Sequence, residues 1–165
     1  MRQVQRPVES NHGDTLLRWH PELEVSAERI TQVRGYIFNS SGEILIVEVA
    51  GKHWSTVGGS VESFDKTPLD AFRREVAEET YVEIENEKIL GYIEVILPGG
   101  ATHHQARYAA KLKRELAFEP KHETTARKWV LPANISFYIP WTKGNPVFDA
   151  EIEAALIFYG KVRNR

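Results

Sequence analysis

The chain has no cysteine, which removes disulfides, thiolate zinc sites and cysteine nucleophiles from consideration. It has little charge of either sign in excess: a net charge of −2 gives no strong nucleic-acid signal and no general attraction to an anionic membrane. No apolar run approaches the roughly 20 residues of a membrane span. The opening stretch Met1-Arg2-Gln3-Val4-Gln5-Arg6-Pro7 lacks the apolar segment of a secretory leader, so the expected location is the cytoplasm. Internal repeats and low-complexity linkers are missing as well. What is present is ordinary for a globular protein, 42% hydrophobic and 27% charged residues in a chain of 165, enough for one domain with a substantial core.

Against that background one segment stands out: Gly58-Gly59-Ser60-Val61-Glu62, followed after a short gap by Arg74-Glu75-Val76-Ala77-Glu78-Glu79. If residues 67 to 80 form a helix, Glu75, Glu78 and Glu79 stand at i, i+3 and i+4 and share one face. Three like charges so placed repel one another, and a cation offsets that repulsion. Hard divalent ions such as Mg²⁺ take carboxylate oxygens of this kind and share them with substrate phosphates. Arg74, one turn before Glu78, can brace that carboxylate. A solvated acidic helix face is the plainer alternative.

The helix has its own signals. Thr67-Pro68-Leu69-Asp70 reads as a capping box with Thr at the N-cap and Pro at the first helical position. Leu69, Phe72 and Val76 supply an apolar stripe on a neighbouring face, which would dock the helix and leave the glutamates at its border.

This segment resembles the signature of the Nudix hydrolases, in which a Gly and a first Glu precede Arg-Glu, a bulky aliphatic, any residue, Glu-Glu, any residue, Gly and a second bulky aliphatic. The match is direct at Arg74, Glu75, Val76, Glu78, Glu79 and Val82. Three departures accompany it. Tyr81 stands at the closing Gly, one extra residue near Lys66 separates Gly59 from Arg74, and Asp65 falls where the signature has its first Glu. A bulky residue is disfavoured in the left-handed conformation that the Gly permits, so Tyr81 is expected either to avoid positive φ or to let the helix run on.

The remaining elements are read from local pattern. Residues 1–29, with Pro7, Gly13 and Pro21 as breakers, read as an N-terminal arm, and residues 30–165 as the Nudix hydrolase domain. Ile30 to Val49 has strand character with a hairpin around Asn39-Ser40-Ser41-Gly42. In that hairpin Arg34 can lie opposite Glu48, and an ion pair there competes with a substrate role for Arg34. A short strand from Trp54 to Val57 leads into the Gly-Gly loop. Residues 89–97 and 105–113 form two more strands joined by Pro98-Gly99-Gly100-Ala101-Thr102-His103-His104, and 127–131 another. Phe148, Ile152, Leu156 and Tyr159 recur at helical spacing and predict a terminal helix. Strand-rich stretches with a central and a terminal helix suggest an α/β fold with helices on both sides of a mixed β-sheet, the Nudix-type α/β/α sandwich that the resemblance implies.

The resemblance also implies a chemistry. Nudix enzymes typically hydrolyse a nucleoside diphosphate linked to another group, with water as nucleophile. Carried onto this chain, Glu75, Glu78 and Glu79 are metal ligands with the Gly58 carbonyl as a further one, and Mg²⁺, or Mn²⁺ in its place, is the cofactor. Arg74, Glu75, Glu78 and Glu123 are the candidate catalytic residues; Glu123 precedes Trp129 by six residues, a spacing similar to members that use that Glu as ligand or base. Glu119 is its rival, and a solvated loop glutamate is the alternative for either. Arg34, Glu62, His103 and His104 are the candidate substrate-binding residues, with a polar loop tip as the plain reading of the two histidines. Trp54, Tyr36 and Phe38 serve either a base or the core. Phe137, Tyr138 and Trp141 are an expected wall of the pocket. The expected partner is a small-molecule nucleotide, with no membrane, and a homodimer is left open. Rival functions are a non-catalytic Nudix domain that senses a nucleotide or nucleotide sugar, and an isoprenoid diphosphate isomerase relative. The retained glutamates speak against the first, and the missing cysteine against the second.

Overall fold

The computed structural model describes residues 8–21 and 25–165; the Met1 to Pro7 stretch lies outside the described residues. In chain order the elements are β1 (Val8–His12), β2 (Thr15–Pro21), β3 (Ile30–Phe38), β4 (Ile44–Val49), β5 (His53–Ser60), α1 (Pro68–Thr80), β6 (Val82–Ile96), β7 (Thr102–Glu115), β8 (Thr124–Val130), the short α2 (Ile135–Tyr138) and α3 (Pro146–Val162). The strands form one eight-stranded sheet in the order β1-β2-β6-β7-β3-β5-β4-β8. β3 and β7 run parallel and the other neighbours antiparallel, so the sheet is mixed.

Alternation along the central strands builds two cores. Val33 and Ile37 of β3, with Leu45 and Val47 of β4, meet Ala71, Phe72 and Val76 of α1 on one face. Tyr36 and Phe38, with Ile44 and Ile46, meet Phe148, Ala155 and Phe158 of α3 on the other. Side chains two apart in a strand share a face, and a helix covers each face, so these strands are apolar at almost every position.

α1 begins as its sequence signals require. Thr67 Oγ1 accepts from the Asp70 N–H at 3.1 Å, and Pro68 occupies the first turn where its missing N–H costs nothing. The end of the helix overturns the expectation for Tyr81, which sits in the left-handed region at φ 54, ψ 40 as the helix C-cap. Neighbouring contacts hold it there. Arg127 Nη1 donates to the carbonyls of Thr80 (2.7 Å) and Tyr81 (3.0 Å), the Leu116 N–H donates to the same Tyr81 oxygen (2.9 Å), and the ring meets Phe118 edge-on at 5.4 Å. Arg127 therefore does what a glycine turn usually does, satisfying orphan carbonyls, and it places a cation at the negative end of the helix.

Other local expectations need correction. Residues 8–21, inside the stretch read as an arm, form a hairpin whose β2 pairs with β6. The Gly-Gly pair lies in β5 instead of in a loop after it, with Gly58 opposite Arg34 and Gly59 opposite Val33. Glu48 pairs with Trp54 and Ala126, so the Arg34–Glu48 contact does not form; β3 has only one residue pair with β4 because β5 intervenes. α3 buries Val147, Phe148, Glu151, Ala155, Phe158 and Val162, while Leu156 is 43% exposed. The apolar residues of α3 are too evenly spread for spacing alone to choose the face.

Candidate active site

The α1 flank is organised by Arg74. Its Nε and Nη2 donate to the two oxygens of Asp65 at 2.9 and 2.8 Å, its Nη1 to Glu75 Oε1 at 3.0 Å and Glu78 Oε2 at 3.4 Å, and its Nη2 also to the Ser60 carbonyl at 3.0 Å. A planar guanidinium offers five donors in a fixed fork, which lets one side chain join the loop, the strand end and the helix. Asp65 also accepts from the Glu62 N–H (2.8 Å), and its hydrogen bonds to Arg74 hold its carboxyl below the usual range. The Asp at the position of the signature's first Glu thus forms the fork-to-fork pair that fixes Arg74.

Deeper in, Glu79 Oε2 accepts from the Gly58 N–H at 3.1 Å. Burial pushes its carboxyl up to about 7, with the nearby Glu75 and Glu78 adding repulsion. Glu75 is also raised, chiefly by burial, although Arg74 opposes the shift. Close approach bears on both glycines, at Gly58 from backbone and at Gly59 from a side-chain carboxylate. A Cβ on Gly58 would lie 2.1 Å from the Val33 carbonyl oxygen, and one on Gly59 would lie 2.5 Å from Glu75 Oε1. Gly58 thus lets β5 lie close against β3, and Gly59 leaves room for the Glu75 carboxylate over the strand.

These groups border a cavity of about 580 Å³, whose lining includes Arg34, Gly58, Glu62, Arg74, Glu75, Glu78, Glu79 and Glu123. Arg34 Nη1 donates to Ser55 Oγ (3.1 Å) and the Thr56 carbonyl (2.9 Å), and burial lowers the tendency of its guanidinium to hold a proton. Glu123 comes from the segment before β8. Its carbonyl accepts from the Ala50 N–H at 2.6 Å, and the Gly51 N–H donates to Thr125 Oγ1 at 2.9 Å, so that segment is stapled to the turn between β4 and β5. Glu119 is exposed and not part of the lining.

His103 and His104 are elsewhere. They belong to β7 instead of a loop, pair with Val95 and Glu94 of β6, and do not line the cavity; His104 is buried, which holds its imidazole below the usual range. The strand begins earlier than its sequence suggests because residues 97–101 close a tight turn, with Gly99 and Gly100 both at positive φ. Two other imidazoles, His53 and His122, line the cavity together with Gln32. The only sequence signals for them are position: His53 opens the strand that carries Gly58, and His122 adjoins Glu123. Phe137, Tyr138 and Trp141 are not in the lining; Tyr138 and Trp54 pack on the α3 core and on each other at 6.0 Å.

Carboxylate and carbonyl oxygens of this kind suit a hard divalent cation. As the side chains stand, no three acidic or imidazole groups among the described residues gather closely enough to hold one. Arg74 accounts for part of this, since its Nη1 draws the carboxylates of Glu75 and Glu78 to itself. The Glu78 side chain is 43% exposed and free to turn about its own torsions, so the donor set fits in kind after a side-chain movement.

The fold has many solved relatives. The pyrophosphohydrolase BsRppH of Bacillus subtilis is 20% identical, over 85% of this chain and 89% of that one, with a TM-score of 0.70. A C. elegans Ap4A hydrolase is 16% identical over 78% and 98% (TM-score 0.56), and the NUDIX domain of Shewanella oneidensis NrtR, solved with ADP ribose, 17% over 67% and 77% (TM-score 0.56). At such identities the likeness establishes the fold. No curated protein matches the sequence significantly. The family model of the NUDIX domain matches residues 28–152, which contain the cavity lining and most of both cores, and the chain belongs to the Nudix family.

Proposed function

We propose that this protein is a divalent-cation-dependent Nudix hydrolase that cleaves the diphosphate linkage of a nucleoside diphosphate derivative or a non-standard nucleoside triphosphate. The observation that carries the reading is one cavity bordered by Glu75, Glu78 and Glu79 and by the guanidiniums of Arg34 and Arg74. Repelling carboxylates bordering a cavity favour a cation, and the Arg34 guanidinium favours phosphate oxygens, while the donors of Arg74 are taken up by Asp65, Glu75, Glu78 and the Ser60 carbonyl.

Glu75, Glu78 and Glu79, with the Gly58 carbonyl, are the groups that would hold Mg²⁺ or Mn²⁺, and the bound ion supplies charge neutralisation at the phosphates and acidifies a water. The residues of the chain do the rest. Arg74 positions Glu75 and Glu78, while Asp65 holds Arg74. Arg34 and Glu62 orient the substrate. In the reaction a water oxygen bonds to one phosphorus of the anhydride, the bond from that phosphorus to the bridging oxygen breaks, and the leaving phosphate or nucleotide carries the bridging oxygen away. The water's proton passes to a carboxylate, with Glu123 and the raised Glu75 and Glu79 as the candidate acceptors.

The test is hydrolysis of a nucleotide panel with and without Mg²⁺, scored as phosphate after phosphatase treatment. Activity should need the cation and fall at least about a hundredfold in Glu78→Gln or Glu79→Gln, since an amide does not replace an anionic ligand. Unchanged turnover in both variants, with unchanged circular dichroism, refutes the assignment. A sensor would instead bind nucleotide with no turnover at all.

A further inference from the structure

Three buried polar groups have no part in the chemistry above. Tyr36 of β3, Arg107 of β7 and Glu151 of α3 are 2%, 8% and 5% exposed, and none of them lines the cavity. Arg107 Nε donates to Glu151 Oε1 at 3.0 Å, the Tyr36 hydroxyl donates to Glu151 Oε2, and Arg107 Nη2 donates to Gln105 Oε1 at 2.9 Å. Taking two opposite charges out of water is costly, and apolar residues of similar volume often serve stability as well or better. The rest of this face of α3 packs through Phe148, Ala155 and Phe158, so stability alone does not call for a buried ion pair there.

Its position supplies another role. β3 and β7 run parallel with Arg34 directly opposite Arg107, and Arg34 and Tyr36, two residues apart, share a face of the sheet. Arg34 is the member of this group that reaches the cavity. There its Nη1 is held by two neutral acceptors, Ser55 Oγ at 3.1 Å and the Thr56 carbonyl at 2.9 Å. Burial and Arg107 oppose the charge on Arg34, and Glu79 and Glu151 favour it. Two neutral hydrogen bonds are a weak seat for a guanidinium that faces a second, unbalanced one.

Resting on the hydrolase reading, we propose that Glu151 is a positioning residue of the substrate site: it neutralises Arg107 and so keeps Arg34 seated on Ser55 and Thr56, where its charge is available to the substrate's phosphate oxygens. Glu151 itself touches no substrate. Its effect passes through Arg34 and comes from charge balance, not from packing.

The test is the affinity of the full chain for α,β-methylene-ADP at saturating Mg²⁺, measured by calorimetry so that no turnover is needed. Glu151→Gln, which keeps the volume and removes the charge, should weaken binding about tenfold or more. Adding Arg107→Met restores the balance and should bring affinity back to within about threefold of the parent. In an Arg34→Met background Glu151→Gln should make no further difference, because the residue it acts through is gone. With a cleaved member of the nucleotide panel as substrate, the same series should appear in KM and leave kcat little changed. Unchanged affinity in Glu151→Gln overturns the proposal, as do losses that simply add in the Arg107→Met/Glu151→Gln variant, or an undiminished loss on the Arg34→Met background. Should Glu151→Gln fail to fold, Arg107→Met carries the test: it leaves Glu151 to draw Arg34 away from the cavity, so binding should weaken, and parental affinity overturns the proposal. Absence of turnover in the parent fails the hydrolase reading separately and leaves the binding comparison decisive, whereas a parent that does not bind the diphosphate overturns both.

Discussion

Tyr81 offers a measurement in which the backbone and the side chain can be separated. Its left-handed conformation costs a residue with a Cβ about 1–2 kcal/mol, and its edge contact with Phe118 returns about 0.5–1.5 kcal/mol. Tyr81→Ala loses the ring and keeps the strain. Tyr81→Gly loses the ring and the strain together, against about 0.5 kcal/mol of extra chain entropy in the unfolded state. The glycine variant should therefore lie close to the parent in stability and about 1 kcal/mol above the alanine variant. In a domain of this length that difference is about 2–4 °C in Tm. Urea unfolding followed by fluorescence gives the comparison, provided the m-values agree. The order is the reverse of that in a helix interior, where glycine is the worse residue by about 1 kcal/mol. An alanine variant as stable as the glycine variant would falsify the strain account and assign the conformation's stability to Arg127 alone.

The other predictions concern the cavity. Arg74→Ala should lower turnover while leaving cation binding measurable, because Arg74 positions Glu75 and Glu78 without being a ligand itself; complete loss of binding in a metal titration would remove that role. Arg74→Lys should recover only part of the turnover, since an ammonium cannot make the paired contacts to Asp65, and full recovery would show that charge alone suffices. Glu123→Gln should cut kcat by roughly tenfold to ten-thousandfold with little change in affinity for a substrate analogue if it accepts the proton; a silent substitution would send the search for the base to Glu75 and Glu79.

The acidic helix was legible in the sequence because its signals are local. A cap, a proline and three glutamates at helical spacing each act within one or two turns, so they can be read without knowing what the helix packs against. The two-sided sheet is legible from the order of elements, strand-rich stretches with one central and one terminal helix, and the apolar run Ile44-Leu45-Ile46-Val47, buried on both faces in the structure, agrees with it. The failures share a different origin. Whether Arg34 meets Glu48 depends on whether β5 comes between β3 and β4, which is a matter of strand order. The histidine pair moved from loop to strand because β6 and β7 pair over a long ladder down to a tight turn, a register that no short window contains. The left-handed Tyr81 lies beyond any local rule because the group that stabilises it, Arg127, is 46 residues away.

The terminal helix connects these points to the chemistry. Arg34 lies beside Arg107 in the parallel register of β3 and β7, and two buried guanidiniums so placed repel each other. Glu151, buried in α3, answers that repulsion: it accepts from Arg107 Nε at 3.0 Å and from the Tyr36 hydroxyl. Arg107 also donates to Gln105 Oε1 at 2.9 Å. Burial and Arg107 both oppose the charge on Arg34, and the Glu79 carboxylate and Glu151 favour it. A reading that seeks only the apolar face of α3 passes over Glu151, because a buried acid looks like an interruption until its partners are known. It is nevertheless the residue through which the helix farthest along the chain acts on the electrostatics of the cavity, and its burial is tolerable only because both of its oxygens are engaged.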